Sequence, residues 1–219
     1  LMVQDLDGRI KPLNTLASEF LRKVSRKNYY KGDQLKLDAN QVFLAIHLDP
    51  GKWYSIPLIK IDKEKGGEAF ASIITNKDGL IPFNSLLDMD KDYILEDLVL
   101  KANEKKPGER SEFDKEILKV DERFNLLFNV LSGNYLKIFP KKDDPLKTWY
   151  NPNYSFEDFN EADARFAKGI IPLYFINIQE AKTTGDWAQA EDTDAYIKKY
   201  QEVLAADIIP SEKRISAEL

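Results

Sequence analysis

The sequence predicts a mainly α fold that carries a small β element and ends in a helical hairpin. Three observations lead there. Apolar residues recur at three- and four-residue steps in several segments, the spacing of one helix face. Stop signals at Asp49-Pro50-Gly51, Pro107-Gly108 and Gly133 close those segments. Beyond residue 153 the pattern is helical throughout.

The first element is a turn that feeds an amphipathic helix. Gly8 admits backbone conformations closed to other residues, and Pro12 fixes φ where a helix begins. Leu13, Leu16, Phe20 and Val24, with Leu21 beside them, form an apolar stripe, while Ser18, Arg22 and Ser25 face the other way. Arg9 and Lys11 precede the stripe, where packing gives no reason for two cations; with Gly8 and Thr15 they mark either a contact surface or a solvated basic loop. Residues 28–33 read as a turn region. Asp38 or Asn40 caps a short helix through Val42, Phe43, Ile46 and His47. His47 is the only histidine, and on an apolar helix flank it reads as a packed or half-exposed side chain, not a haem or metal ligand. Residues 53–61 lean to β, with Pro57 restricting them to an edge or extended segment. Gly66-Gly67 is a turn before a short helix over 68–74, since it lacks the spacing and the following Lys-Ser/Thr of a phosphate loop. A helical stretch from Asn84 or Ser85, continued from Asp90 to Lys105, offers Tyr93, Leu95, Leu98, Val99 and Ala102 for burial.

Ser111 with Asp114 three residues on opens the clearest helix, whose Phe113, Ile117, Val120, Phe124, Leu127 and Leu131 form a packing seam. Asp121, Glu122 and Arg123 lie in its middle. Adjacent helical residues point about 100° apart, so the two carboxylates do not share a site for acid-base work. They suit an ion-pair network closing the helix onto the Gly8-Arg9 turn, or plain exposure. Residues 135–139 alternate apolar and polar, and a two-stranded pairing with 56–61 is expected. Residues 141–153, rich in Pro, Asp and Lys, read as a linker between an N-terminal mixed helical subdomain (1–140) and a C-terminal hairpin subdomain (154–219), unless the chain is one continuous domain. Helices are expected over 156–168, 172–183 and 186–206 and from Pro210-Ser211, with Gly169 and Pro172 kinking or splitting the first.

With 219 residues, 43% of them apolar, the chain can bury a sizeable core. No run approaches the roughly 18–20 apolar residues of a membrane helix, so it reads as a soluble piece. It opens on Leu1-Met2-Val3 without a signal peptide and reads as an excised segment. A net charge of −5 argues against nucleic acid as a partner. Arg22, Lys23, Arg26, Lys27 and Lys31 beside Tyr29 and Tyr30 are a local exception: a patch for anionic lipid or an acidic partner, or a solvated helix end. The absence of cysteine excludes disulfides, thiolate metal sites, thiol redox chemistry and covalent haem attachment through this chain's own sulfur.

Val3-Gln4-Asp5, then Gly8-Arg9-Ile10-Lys11-Pro12-Leu13-Asn14-Thr15-Leu16 and Leu21-Arg22-Lys23, resemble the opening of the extracytoplasmic domain in the fused cytochrome c biogenesis proteins of Bacteroidetes-type bacteria. Those are system II membrane proteins that join CcsB-like and CcsA-like halves. Later stretches match in the same order: Asp121-Glu122-Arg123-Phe124-Asn125, Gly133, Leu136-Lys137-Ile138-Phe139-Pro140, Thr184-Gly185-Asp186-Trp187, Tyr200-Gln201, Ile209-Pro210-Ser211 and Ala217-Glu218-Leu219. The turn at Gly185-Asp186-Trp187 also resembles that of a tetratricopeptide hairpin, with Tyr174 and Ala181 in place. Asn177 and Ile178 replace its Leu-Gly pair, Asp194 replaces an aromatic, and one copy stands where a solenoid needs about three.

The biogenesis resemblance implies membrane helices flanking this segment, a place on the periplasmic face of the inner membrane, and an intact protein that handles haem and joins it to apocytochrome c. Implied partners are apocytochrome c and the flanking haem-binding membrane part. The tryptophan-rich loop and membrane-proximal histidines of system II are missing from these 219 residues. No haem ligand, metal ligand or catalytic residue is therefore carried over, and this domain alone is expected to hold no cofactor and not to be an enzyme. Its expected role is docking or positioning, with Gly8, Arg9, Lys11, Thr15, Arg22, Asp121, Glu122, Arg123 and Trp187 as the interaction candidates. The alternatives are a spacer that orients membrane helices, a tetratricopeptide-like interaction module, and a hydrolase using Asp121 or Glu122.

Overall fold

The computed structural model describes residues 1–32 and 35–210. Asp33 of the expected turn, and the helix expected from Pro210-Ser211 together with the matching stretch at Ala217, lie outside them from Ser211 onward. In chain order, β1 (Met2–Gln4) and β2 (Ile10–Pro12) form a hairpin and α1 (Leu13–Ser25) follows. A second hairpin, β3 (Tyr29–Lys31) with β4 (Lys36–Asp38), leads to α2 (Ala39–Leu48) and α3 (Pro50–Trp53). Next come β5 (Ile59–Lys60), α4 (Lys63–Gly66), α5 (Glu68–Ala71), β6 (Leu80–Ile81), α6 (Glu96–Glu104) and α7 (Glu112–Leu131). The chain ends with β7 (Phe139–Pro140), β8 (Trp149–Tyr150), α8 (Glu161–Thr184) and α9 (Ala188–Leu204). It is mainly helical, and every sheet among the described residues is a two-stranded antiparallel pair.

Contacts divide the chain into two compact units, Leu1–Leu16 with Gly133–Leu219, and Ala17–Ser132. These are not the consecutive pieces 1–140 and 154–219. Residues 141–153 belong to the first unit and supply it with β8, whose Trp149 is buried, so a hydrophilic composition there conceals a core anchor.

In the Ala17–Ser132 unit, α7 is the central helix. The Ser111 hydroxyl and the Asp114 carboxylate form its capping box, and Ile117, Val120, Phe124, Leu127 and Leu131 are buried as the seam requires. Hydrogen bonds from Lys105 and then Ser111 hold the Asp114 carboxyl at about 2. Phe83 and Tyr93 stack on Phe124 at 4.4 and 4.2 Å between ring centres. Asp38 caps α2 with a full capping box to Gln41.

Several expectations change. Ser25, expected on the outer face of α1, is buried, and its hydroxyl is satisfied by donating to Leu21 O one turn back at 2.7 Å. Residues 29–31 are strand, not turn. The helical stretch expected from residue 84 is a 3-10 turn over Phe83–Leu86, and α-helix resumes only at Glu96, because the Asp88 carboxylate accepts the Asp90 and Asp92 N–H groups, both at 2.9 Å, and holds a loop between them. The 68–74 helix is the single turn α5.

The strands at 56–61 and 135–139 do not pair with each other. Ile59 faces Ile81, and Phe139 faces Tyr150. Each takes the partner that closes the shorter loop, which costs less chain entropy.

In the first unit, β1–β2 and β7–β8 sit with the α8–α9 hairpin, and Val3, Ile138, Phe139, Trp149, Phe156 and Ile197 are buried. Asn160 caps α8, and Gly185, at φ 79°, closes it with its N–H to Ala181 O at 2.8 Å. The helix runs unbroken through Gly169 and Pro172. Pro172 deprives the Lys168 carbonyl of its helical donor, but both residues are exposed, where water can satisfy it.

Candidate functional site

Asp5 is the centre of the N-terminal turn. Its Oδ1 accepts the N–H of Asp7 at 3.0 Å and of Arg9 at 2.9 Å, and its Oδ2 lies 2.7 Å from Lys11 Nζ. Gly8, at φ 84°, permits the reversal. Both partners are buried, Asp5 at 7% and Lys11 at 5% exposure. Burial alone would raise the Asp5 carboxyl; the hydrogen bonds from Lys11 and the Arg9 N–H, with the Lys11 charge, outweigh it and hold the group below its ordinary value. Lys11 is therefore not at the mouth of a basic loop. Lys11 faces Val3 across the hairpin, on the same side as Asp5, and pairs with it, while Arg9, before the strand, is exposed. Thr15 is half-buried in the first turn of α1, its N–H on Asn14 Oδ1 at 2.8 Å.

Two glutamines extend this arrangement. Gln4 accepts the Trp149 N–H at 2.8 Å and donates to Gly8 O and Lys147 O, both at 3.1 Å. Its own N–H reaches Lys137 O at 2.9 Å. Gln201, on α9, accepts the Met2 N–H at 3.0 Å and donates to Met2 O and Ile138 O, both at 2.9 Å. The Tyr200 hydroxyl donates to Pro140 O at 3.2 Å. Sequence reasoning missed Gln4, Asp5 and Gln201 as a group. The available signal was that all three stand in the stretches that carry the resemblance.

On α7 the Asp121-Glu122-Arg123 triplet diverges, as the 100° step requires. Asp121 accepts Asn125 Nδ2 at 3.0 Å and lies against the Tyr93 hydroxyl, which falls short of hydrogen-bond geometry. Burial raises the Asp121 carboxyl, and burial with the Asp121 charge raises the Tyr93 phenol. Glu122 pairs with Lys23 of α1 at 2.6 Å in a half-exposed contact. Arg123 is buried: its guanidinium donates to Lys60 O and lies 3.6 Å from Glu116, whose Oε1 also accepts the Asp62 N–H at 3.0 Å. These partners all lie within the Ala17–Ser132 unit. The triplet is a structural tie of α7 to α1 and β5, and Glu116 is the buried member that the sequence did not announce. Arg22 is exposed on α1.

Trp187 opens α9 and is 45% exposed. The hairpin behind it is locked by Asn177, which donates to Thr193 Oγ1 at 2.8 Å and Gln189 O at 3.3 Å. That bond gives a use to the position where the tetratricopeptide pattern is broken. His47 packs on the Phe43 ring, its Nδ1 2.8 Å from Phe43 O, and burial lowers its pKa. Met89 is fully exposed. A cleft of about 620 Å³ in the first unit is lined by Lys141, Lys147, Trp149, Val203 and Asp207 among others; Lys141 is engaged by Asp158 and Lys147 by Asp207. Among the described residues no group of His, Cys, Asp and Glu is placed to hold a metal ion. No helix among them is long and apolar enough to cross a membrane.

Protein NrfI of Wolinella succinogenes is 30% identical to this chain over 228 residues. The chain is homologous to a segment of NrfI. That alignment takes in 100% of this chain and 23% of NrfI, so the chain spans under a quarter of the relative's length. No family profile matches the chain. The aligned span takes in both units.

Proposed function

We propose that this chain is an extracytoplasmic domain of a cytochrome c maturation membrane protein, and that it docks or positions apocytochrome c and the haem-binding membrane part of the same polypeptide. The relation to cytochrome c maturation is supported by the homology to NrfI along the whole chain. The finer assignment, to the fused system II proteins and their periplasmic face, draws on the ordered matches from Val3 to Leu219. On this reading haem would be held by parts of the intact protein outside this chain, whose single imidazole is packed on Phe43 with its Nδ1 2.8 Å from Phe43 O.

The surface for docking is the hairpin turn around Trp187, an exposed aromatic of the kind that anchors interfaces. Titration of the domain with a haem-free peptide spanning the Cys-x-x-Cys-His segment of an apocytochrome c tests this. Micromolar binding that weakens about tenfold or more in Trp187→Ala is the expected result. Absence of binding at high micromolar peptide would sink direct docking.

A purely architectural reading is favoured by one observation, the burial of Gln4, Asp5, Lys11 and Gln201. On that reading charge reversal at Arg9 leaves cytochrome maturation intact, while Phe124→Asp in the core removes the protein.

A further inference from the structure

We infer that the β3–β4 ribbon, with the end of α1 that leads into it, is a contact surface for an anionic lipid bilayer. In the antiparallel register Lys31 stands directly opposite Lys36. Both are exposed. Like charges directly across a ladder destabilise it, and the contact of Lys36 with the Tyr29 ring leaves that repulsion in place. The acid on the described part of the ribbon, Asp38, is committed to capping α2. Asp33, at the tip, lies outside the described residues.

The cations just upstream divide into two groups. Lys23 is matched by Glu122 and Lys27 by Asp78. Arg22 and Arg26 are exposed and take no carboxylate among the described residues. Arg26 also adopts φ 59°, a left-handed helix end that glycine would fill at no steric cost.

Apolar groups are set among these charges. Tyr29 is 44% exposed with Lys36 Nζ 4.6 Å from its ring centre, and Leu35 is 55% exposed. Aromatic rings with a polar tip settle at the headgroup level, and lysines there act as point charges toward a diffuse field of phosphates. An acidic protein would be met by charge alone and would leave exposed Leu35 without a use. The whole chain carries −5, which repels it from such a membrane everywhere else, so the ribbon sets the orientation of approach. This inference goes beyond the docking role proposed above and does not depend on it.

The test is co-sedimentation of the domain with vesicles of phosphatidylcholine alone or mixed with phosphatidylglycerol, at low and high salt. Binding is expected only with phosphatidylglycerol and is lost at high salt. Lys31→Gln with Lys36→Gln should weaken it about 30-fold, roughly fivefold for each cation removed. Lys101→Gln with Lys106→Gln changes the net charge equally at exposed positions elsewhere and should leave binding within about twofold. Tyr29→Ala should weaken binding with every charge in place. Thermal melts confirm that the ribbon variants fold, since removing the Lys31/Lys36 repulsion does not lower stability. Equal loss in both double variants, or no binding to phosphatidylglycerol, overturns the inference. So does binding to polyglutamate without binding to vesicles, which would mark the surface as one for an acidic protein.

Discussion

Replacing Gln201 with leucine keeps nearly the same volume on α9 and removes three hydrogen bonds at once. The Met2 N–H, the Met2 carbonyl and the Ile138 carbonyl lose partners at 2.9–3.0 Å, in a place where Gln201 itself is 1% exposed and water has no entry. A buried polar group left without a partner costs about 1–3 kcal/mol, and a carbonyl less than an N–H because its second lone pair can find other contacts. Three such groups give about 3–6 kcal/mol, a large share of the ~5–15 kcal/mol typical of a domain. Urea titration followed by tryptophan emission in a Trp53→Phe background reads the first unit, because the remaining buried indole is Trp149. Gln201→Glu is the companion. Its carboxylate still accepts from Met2 but cannot donate to either carbonyl, so its folded pKa is raised and stability is recovered as pH falls through that value. A loss below about 1 kcal/mol for Gln201→Leu, or an indifference of Gln201→Glu to pH, would refute the clamp.

Asp5→Asn removes the carboxylate from buried Lys11 and should cost about 2–4 kcal/mol at pH 7. The folded Asp5 carboxyl titrates below its unfolded value of about 3.9, so its contribution is complete above that pH and is lost as pH falls through the folded value. Thermal melts across pH should show wild type and variant converging in acid; a gap that persists there argues against the ion pair. Arg123→Met leaves Glu116 and the Lys60 carbonyl buried without the guanidinium and should cost about 3–5 kcal/mol. Adding Glu116→Met should cost less than the two single changes together, with a coupling of at least about 1 kcal/mol in a double-mutant cycle by urea titration.

Helices whose signals are local were legible. The Ser111/Asp114 capping box and the seam from Ile117 to Leu131 are contained within one stretch, and α7 follows them. The strand partners were not legible, because ladders of two residues carry almost no pattern of their own and loop closure decides between them. Gln201 stayed hidden for a different reason. Ala190, Thr193, Ile197 and Gln201 recur at helical spacing on the buried face of α9, but a polar residue in such a stripe reads as solvent-facing unless its backbone partners are known. Lys11 and Arg123 were misplaced by the same rule, since each owes its burial to a carboxylate that only the fold brings within reach.

Four of the stretches on which the resemblance was read, Val3–Asp5, Gly8–Leu16, Leu136–Pro140 and Tyr200–Gln201, meet in space. Gln4 reaches Lys137, Gln201 reaches Ile138, Tyr200 reaches Pro140, and Asp5 holds Lys11. These contacts serve assembly of the first unit and say little about what the unit touches. Trp187 is the exception that separates the two kinds of constraint. Gly185 already supplies the left-handed cap of α8, and the Asp186 carboxylate accepts the Ala188 N–H at 3.0 Å, so the turn is made without the indole. No capping bond comes from the Trp187 side chain, and almost half of it stands in solvent. A large apolar side chain held at a tight turn loses burial energy there without a structural return. Among the resembling residues of the first unit, Trp187 is thus best explained by a partner, and the apocytochrome titration bears on it more directly than on any charged position of the N-terminal turn.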